Sequence, residues 1–149
     1  MIAFAGAVAA TAAPAAPPAP SDETLELPVE EGDDAMGRWL DTLMAEHPDF
    51  YVCTSAGNEG PGLSTIGIPA TCESLVSVGA YLSRTTAADL YDARLTRDTM
   101  FAFSSRGGET PKPDVVAPGS ALSTVPGFDD GSARYNGTSM AAPQCAGAM

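Results

Sequence analysis

The sequence is poor in positive charge. It carries 7 Lys and Arg against 19 Asp and Glu, a formal net charge of −12. Nothing on such a surface would neutralise a phosphate backbone, which excludes nucleic acid as a partner. Histidine is scarcer still, with His47 alone in the chain. Cys53, Cys72 and Cys145 form an odd set without metal-ligand spacing. Cys53 and Cys145 stand in apolar surroundings and read as buried thiols, while a Cys53–Cys72 disulfide stays open. No apolar run is long enough to cross a bilayer, so a membrane is excluded as well. The length of 149 residues suffices for one domain with a real core but is short for a complete α/β enzyme.

Residues 1–29 separate from the rest by composition, since Met1 to Pro20 is almost wholly Ala and Pro after a short apolar start. A secretory signal without its basic n-region, a disordered linker, and a start left by truncating a longer gene all fit. Secretion or the cell envelope follows from the first reading and the cytoplasm from the second. Between Asp22 and Asp49 there are ten acidic residues and one cation, Arg38, a block read as a solvated face.

From residue 30 the chain takes on periodic structure. Asp33 or Asp34 caps a helix running to about Glu46, with Met36, Trp39, Leu40, Leu43 and Met44 on one apolar stripe. His47-Pro48 ends it, because the residue before proline avoids the helical region. Phe50 to Thr54 reads as a buried parallel strand, and Ser55 to Gly62 as a glycine-rich loop at its C-terminal end. Ligands bind at that edge of open α/β sheets. Ser74 to Tyr81 is a second strand. Leu82 to Asp98 reads as an insertion with a helical turn. Met100 to Ser104, Asp114 to Ala117 and Ala121 to Val125 are further extended segments. This order predicts an α/β fold, part of a doubly wound parallel sheet.

The end of the chain carries the chemistry. In Tyr135-Asn136-Gly137-Thr138-Ser139, a turn delivers Ser139 to the first turn of an Ala-rich helix. Gly137 there allows close backbone approach, and Pro143 is tolerated only near a helix start. The first amides of a helix have no partner within it, and the dipole is positive at that end. A nucleophile and an oxyanion would both be stabilised there.

Gly137-Thr138-Ser139-Met140-Ala141-Ala142-Pro143 closely resembles the nucleophile motif of subtilisin-like serine peptidases. Ser55-Ala56-Gly57-Asn58-Glu59-Gly60-Pro61 resembles their oxyanion loop, although an asparagine in such a loop is ordinarily a turn residue. The resemblance implies Ser139 as nucleophile, and the Asn58 carboxamide with the Ser139 N–H as oxyanion donors. It makes Ser55, Ala56 and Gly57 one wall of the substrate pocket, with Gly67 as its floor and Glu59 at the rim. The fold it implies is the three-layer α/β/α subtilisin type, truncated, with residues 30–149 as the C-terminal portion of the catalytic domain. Gly60 to Gly67, Val78 to Ser83 and Phe103 to Gly107 look most like the tripeptidyl-peptidase II branch of that family. The implied partner is a polypeptide substrate. No organic cofactor is implied, and the family's calcium sites cannot be matched to residues here. Oligomeric state is not readable.

The sequence also departs from the pattern. The family's Asp-Thr/Ser-Gly and His-Gly-Thr-His motifs are missing, and Asp41-Thr42 and Asp98-Thr99 lack the glycine that should follow. His47 reads as a solvated residue at a helix end, not as a base. The reading is therefore a fragment with the nucleophile and oxyanion half of a site, set against a non-catalytic, peptide-binding remnant. Asn136-Gly137-Thr138 also matches a glycosylation sequon, by chance beside the nucleophile.

Overall fold

A computed structural model describes residues 35–122 and 134–149. The expectations for residues 1–29, for capping by Asp33 or Asp34, and for 123–125 lie outside these residues. Helix α1 (Ala35–Glu46) ends where the sequence places its stop. His47 N–H closes the last turn on the Leu43 carbonyl at 3.1 Å, and Pro48 has no N–H to continue it.

Of the apolar stripe of α1, Leu40, Leu43 and Met44 are half-buried, whereas Met36 and Trp39 are 55% and 44% exposed and Gly37 is buried. Periodicity identifies an amphipathic helix without saying which side meets the body. Here α1 is tied down through Asp41, whose carboxylate accepts from the Ser74 hydroxyl and, at 3.4 Å, from the Ser74 N–H.

Strand β1 (Cys53–Ser55) is shorter than the expected Phe50–Thr54 and starts later. Its partner β2 (Val76–Leu82) begins opposite Cys53, so Phe50 and Tyr51 have no strand beside them and are 42% and 65% exposed. After β2 the expected insertion forms α2 (Arg84–Tyr91), with Ser83 Oγ capping it by accepting from Thr86 N–H at 2.9 Å. Of Met100–Ser104, only the start is strand, as β3 (Thr99–Met100). The rest turns back, with Ser104 N–H on the Phe101 carbonyl at 3.1 Å. Strand β4 (Val115–Pro118) follows the expectation, and β5 (Ser120–Leu122) pairs antiparallel with β6 (Arg134–Asn136), a strand too short to show as a sequence pattern.

β2 organises the sheet. Successive residues of a strand turn their backbone polar groups to opposite edges. Val76, Val78 and Ala80 bond to Val52, Ala56 and Phe101, so parallel β1 and antiparallel β3 share one edge in tandem. Ser77 and Tyr81 accept from Asp114 and Gly119, placing parallel β4 on the other edge. The parallel α/β arrangement is as expected, with a short antiparallel strand added.

Helix α3 (Thr138–Ala146) covers one face of this sheet. The core there is Val78, Ala80, Ala117, Ala141 and Ala142, with Cys53, Val76, Phe101, Phe103 and Cys145 packed around it. Alanines on both surfaces let helix and sheet approach closely. Between β4 and β5, Gly119 leaves no room for a side chain against β2, since a Cβ there would lie 2.4 Å from that of Ala80. At the N-terminal end of β2 and β4, Lys112 is buried. Its Nζ donates to the Leu75 and Glu73 carbonyls at 2.8 and 3.3 Å and pairs with Asp114 Oδ2 at 2.8 Å. The same carboxylate oxygen accepts from Ser77 N–H at 2.7 Å.

Candidate active site

The loop after β1 is shaped by backbone bonds to residues 103–106. Gly57 adopts φ +112°, a conformation that L side chains rarely take, and a Cβ there would also lie 2.8 Å from Ser105 Oγ. Ser105 N–H donates to the Gly57 carbonyl at 3.0 Å, and Ser105 Oγ accepts from Glu59 N–H at 3.0 Å. Gly60 N–H reaches the Phe103 carbonyl at 2.8 Å. These bonds aim Asn58 away from the sheet and towards the start of α3.

There the loop meets the serine turn. Asn58 Oδ1 accepts from Thr138 N–H at 2.9 Å and from Thr138 Oγ1 at 3.1 Å. The backbone amide is an unambiguous donor, so the atom facing it must be the side-chain oxygen. The carboxamide nitrogen lies beside Gly137, the N-cap of α3, 3.6 Å from where a Cβ on that glycine would stand. Gly57 N–H donates to Thr138 Oγ1 at 3.2 Å, making Thr138 the joint between loop and helix.

Ser139 is exposed as the second residue of α3. A first-turn amide has no intrahelical acceptor. Thr138 N–H is taken by Asn58 and Met140 N–H by the Gly137 carbonyl at 3.0 Å, so the Ser139 amide lies between two occupied donors. Two details differ from expectation. A Cβ on Gly137 would make ordinary contacts, 3.6 Å from Asn58 Nδ2 and 3.7 Å from Met140 Sδ, so close approach is not what the turn demands of that glycine. Pro143 lies inside α3 as its sixth residue, where it withholds the amide that would have bonded the Ser139 carbonyl.

The remaining residues named from sequence fall beside the same loop. Ser55 ends β1 and is half-buried, and Ala56 is fully buried. Gly67 N–H donates to the Ala56 carbonyl at 3.0 Å, which brings the proposed wall and floor together. Nothing lies within 4 Å of where a Gly67 Cβ would stand, so the space before it is open. Glu59 is exposed, as a rim residue would be. Two concavities among the described residues, lined by Ser64, Ile66 and Gly107 and by Tyr81, Asp98 and Val116, include neither Asn58 nor Ser139. His47 lies ahead of β1, at the end of that strand opposite to the Asn58 loop. Among the described residues no cluster of His, Cys, Asp or Glu is suited to a metal, and no helix is long and apolar enough to cross a membrane.

Sequence reasoning missed three supports. Thr138 and Ser105 were visible only as motif letters. Tyr91, at the end of α2, was invisible, yet its hydroxyl meets Ser120 Oγ at 2.5 Å and donates to Asn136 Oδ1. Ser120 Oγ donates to the same oxygen at 2.7 Å, so the insertion holds the residue three places before Ser139. No periodicity signals such a contact. The cysteines also need correcting. Cys53 and Cys145 are thiols but only partly buried, and neither Cys53 nor Cys72 is bridged. Burial pushes the Cys53 thiol up to about 11, helped by the charge of Cys145 and the hydrogen bond to it.

Comparison with known proteins gives the family. The profile of the subtilase family matches residues 22–149. Tripeptidyl-peptidase 2 of Caenorhabditis elegans is 41% identical over 107 residues, which are 66% of this chain and 8% of that protein. Subtilisin of Bacillus pumilus is 43% identical over 102 residues, covering 66% of this chain and 30% of its own length. Serine protease AprX of Bacillus subtilis is 38% identical over 114 residues, 66% of this chain and 24% of that protein. The chain thus spans less than a third of each relative's length, and by its matched residues it belongs to the subtilase family.

Proposed function

We propose that this chain contributes the nucleophile and oxyanion half of a serine-type peptidase site that hydrolyses peptide bonds through an acyl-enzyme. Ser139 Oγ attacks the scissile carbonyl, and its proton passes to a base as the tetrahedral oxyanion forms. The Asn58 Nδ2–H and the Ser139 N–H donate to that oxygen. Ser55, Ala56 and Gly57 line one side of the pocket for the residue before the scissile bond, above Gly67. The substrate is a polypeptide.

One observation carries the reading: Asn58 Oδ1 is held by Thr138 N–H at 2.9 Å. That bond supports the reading because it holds the carboxamide beside the turn that carries Ser139 and leaves its N–H groups for another acceptor. In this reading the imidazole and carboxylate of the triad are supplied from outside these residues. His47 follows α1 and precedes β1, whereas the Asn58 loop follows that strand, which supports a base from elsewhere. Without a base, Ser139 is an unactivated alcohol near neutral pH.

A fluorophosphonate probe with peptide mapping tests this. Ser139 should be labelled when the chain is joined to sequence bearing the family's aspartate and histidine motifs, and far more slowly without it. Label that survives Ser139→Ala would refute the reading. Absence of label in the joined protein, with peptide affinity that survives Ser139→Ala, would favour a peptide-binding remnant instead.

A further inference from the structure

The thiols of Cys53, on β1, and Cys145, on α3, are 92 residues apart in sequence, yet their sulfurs stand 4.0 Å apart. Both pack at the edge of the apolar core and both are partly exposed. A disulfide requires an S–S distance of about 2.05 Å. The Met149 thioether lies 3.4 Å from Cys53 Sγ, and as a thioether it cannot enter exchange. Cys72, the third cysteine, is fully buried.

We propose that Cys53 and Cys145 are a dithiol that a small-molecule disulfide oxidises to a cross-link between β1 and α3. One protein thiol loses its proton and attacks a sulfur of the reagent. The reagent's S–S bond breaks, and its first half leaves as a thiolate that takes up a proton. The second protein thiol, also deprotonated, attacks the protein sulfur of this mixed disulfide. The Cys53–Cys145 bond forms and the second half of the reagent leaves as a thiol. The protein loses two electrons and two protons, and the reagent becomes two thiols. A neighbour already 4.0 Å away makes the second step intramolecular, so it outruns capture of another reagent molecule. The cross-link joins the strand that leads into Asn58 to the helix that begins at Thr138 and Ser139, and it does not depend on the peptidase reading.

The test treats the native full chain with dithiobis(nitrobenzoate). The expected result is two equivalents of nitrothiobenzoate released, no adduct on the protein, and a mass lower by two hydrogens. Peptide mapping should show the Cys53 and Cys145 peptides joined. Cys72→Ala should behave identically, and Cys145→Ser should release one equivalent and keep an adduct on Cys53. In urea all three thiols should react and adducts should accumulate. Stable adducts on both Cys53 and Cys145 in the native chain would overturn the proposal. So would a link to Cys72, or a Cys53–Cys145 link formed equally well in urea.

Discussion

The side-chain oxygen of Asn58 accepts the backbone N–H of Thr138 at 2.9 Å, joining the loop after β1 to the first turn of α3 across 80 residues of sequence. Its oxygen caps a helix, and in the proposed function its amide faces the substrate, two separable duties of one side chain.

Substitutions at Asn58 should separate them. Asn58→Ala removes both, and should lower stability by about 1–2 kcal/mol because Thr138 loses its acceptor. Asn58→Asp keeps the acceptor and adds a negative charge where the helix dipole favours one, so its Tm should match or exceed that of the parent. In the protein with a complete triad, both variants should lose turnover by about 100- to 1000-fold, the range measured for this donor in a subtilisin and not a value derived from this geometry. Thermal melts beside kcat would show the split.

The loop-to-helix contact also shows what a sequence can and cannot disclose. Pro48 marks the end of α1 because a missing N–H acts locally, and the run Ser74 to Tyr81 reads as a strand because its side chains are buried on both faces of the sheet. Ser139 could be placed at a helix start from Gly137, Thr138 and the alanines after it. Thr138 as a joint could not, since its partners Gly57 and Asn58 are distant in sequence and leave no periodic trace. For the same reason Phe50 and Tyr51 read as strand although β2 begins too late to pair with them. The α1 stripe shows the matching limit, because amphipathicity is local whereas the docking of Asp41 on Ser74 is tertiary.

Tyr91→Phe should release the insertion from the strand before Ser139. Removing a hydroxyl shared by Ser120 and Asn136 should cost about 1–2 kcal/mol. Hydrogen exchange of the backbone amides in Arg134–Asn136 should quicken more than in β2, and an even loss of protection across the sheet would count against a local latch.

Lys112→Met should destabilise by about 1–3 kcal/mol. The buried carbonyl of Leu75 loses its donor, while Asp114, whose side chain is 37% exposed, regains some water in place of the ammonium. Denaturant midpoints would measure it. A neutral outcome would mean that the cation contributes no more than its volume.

The Cys53 thiol should respond to alkali. Its pKa stands at about 11, against an ordinary 9.0, through burial first and Cys145 second. Alkylation of Cys53 by iodoacetamide should therefore quicken by about tenfold per pH unit from pH 7 to 10. The folded state keeps this proton after the unfolded chain has lost it. The associated stability is present below pH 9.0 and declines as pH rises towards about 11. A labelling rate that levels off near pH 8 would contradict the shift.

The most direct test is a crystal structure of the fluorophosphonate adduct in the protein with its complete triad. The bond should be to Ser139 Oγ, with the phosphoryl oxygen about 2.7–3.1 Å from both Asn58 Nδ2 and the Ser139 amide nitrogen. An adduct on another residue, or an oxygen turned away from the Asn58 carboxamide, would contradict the account.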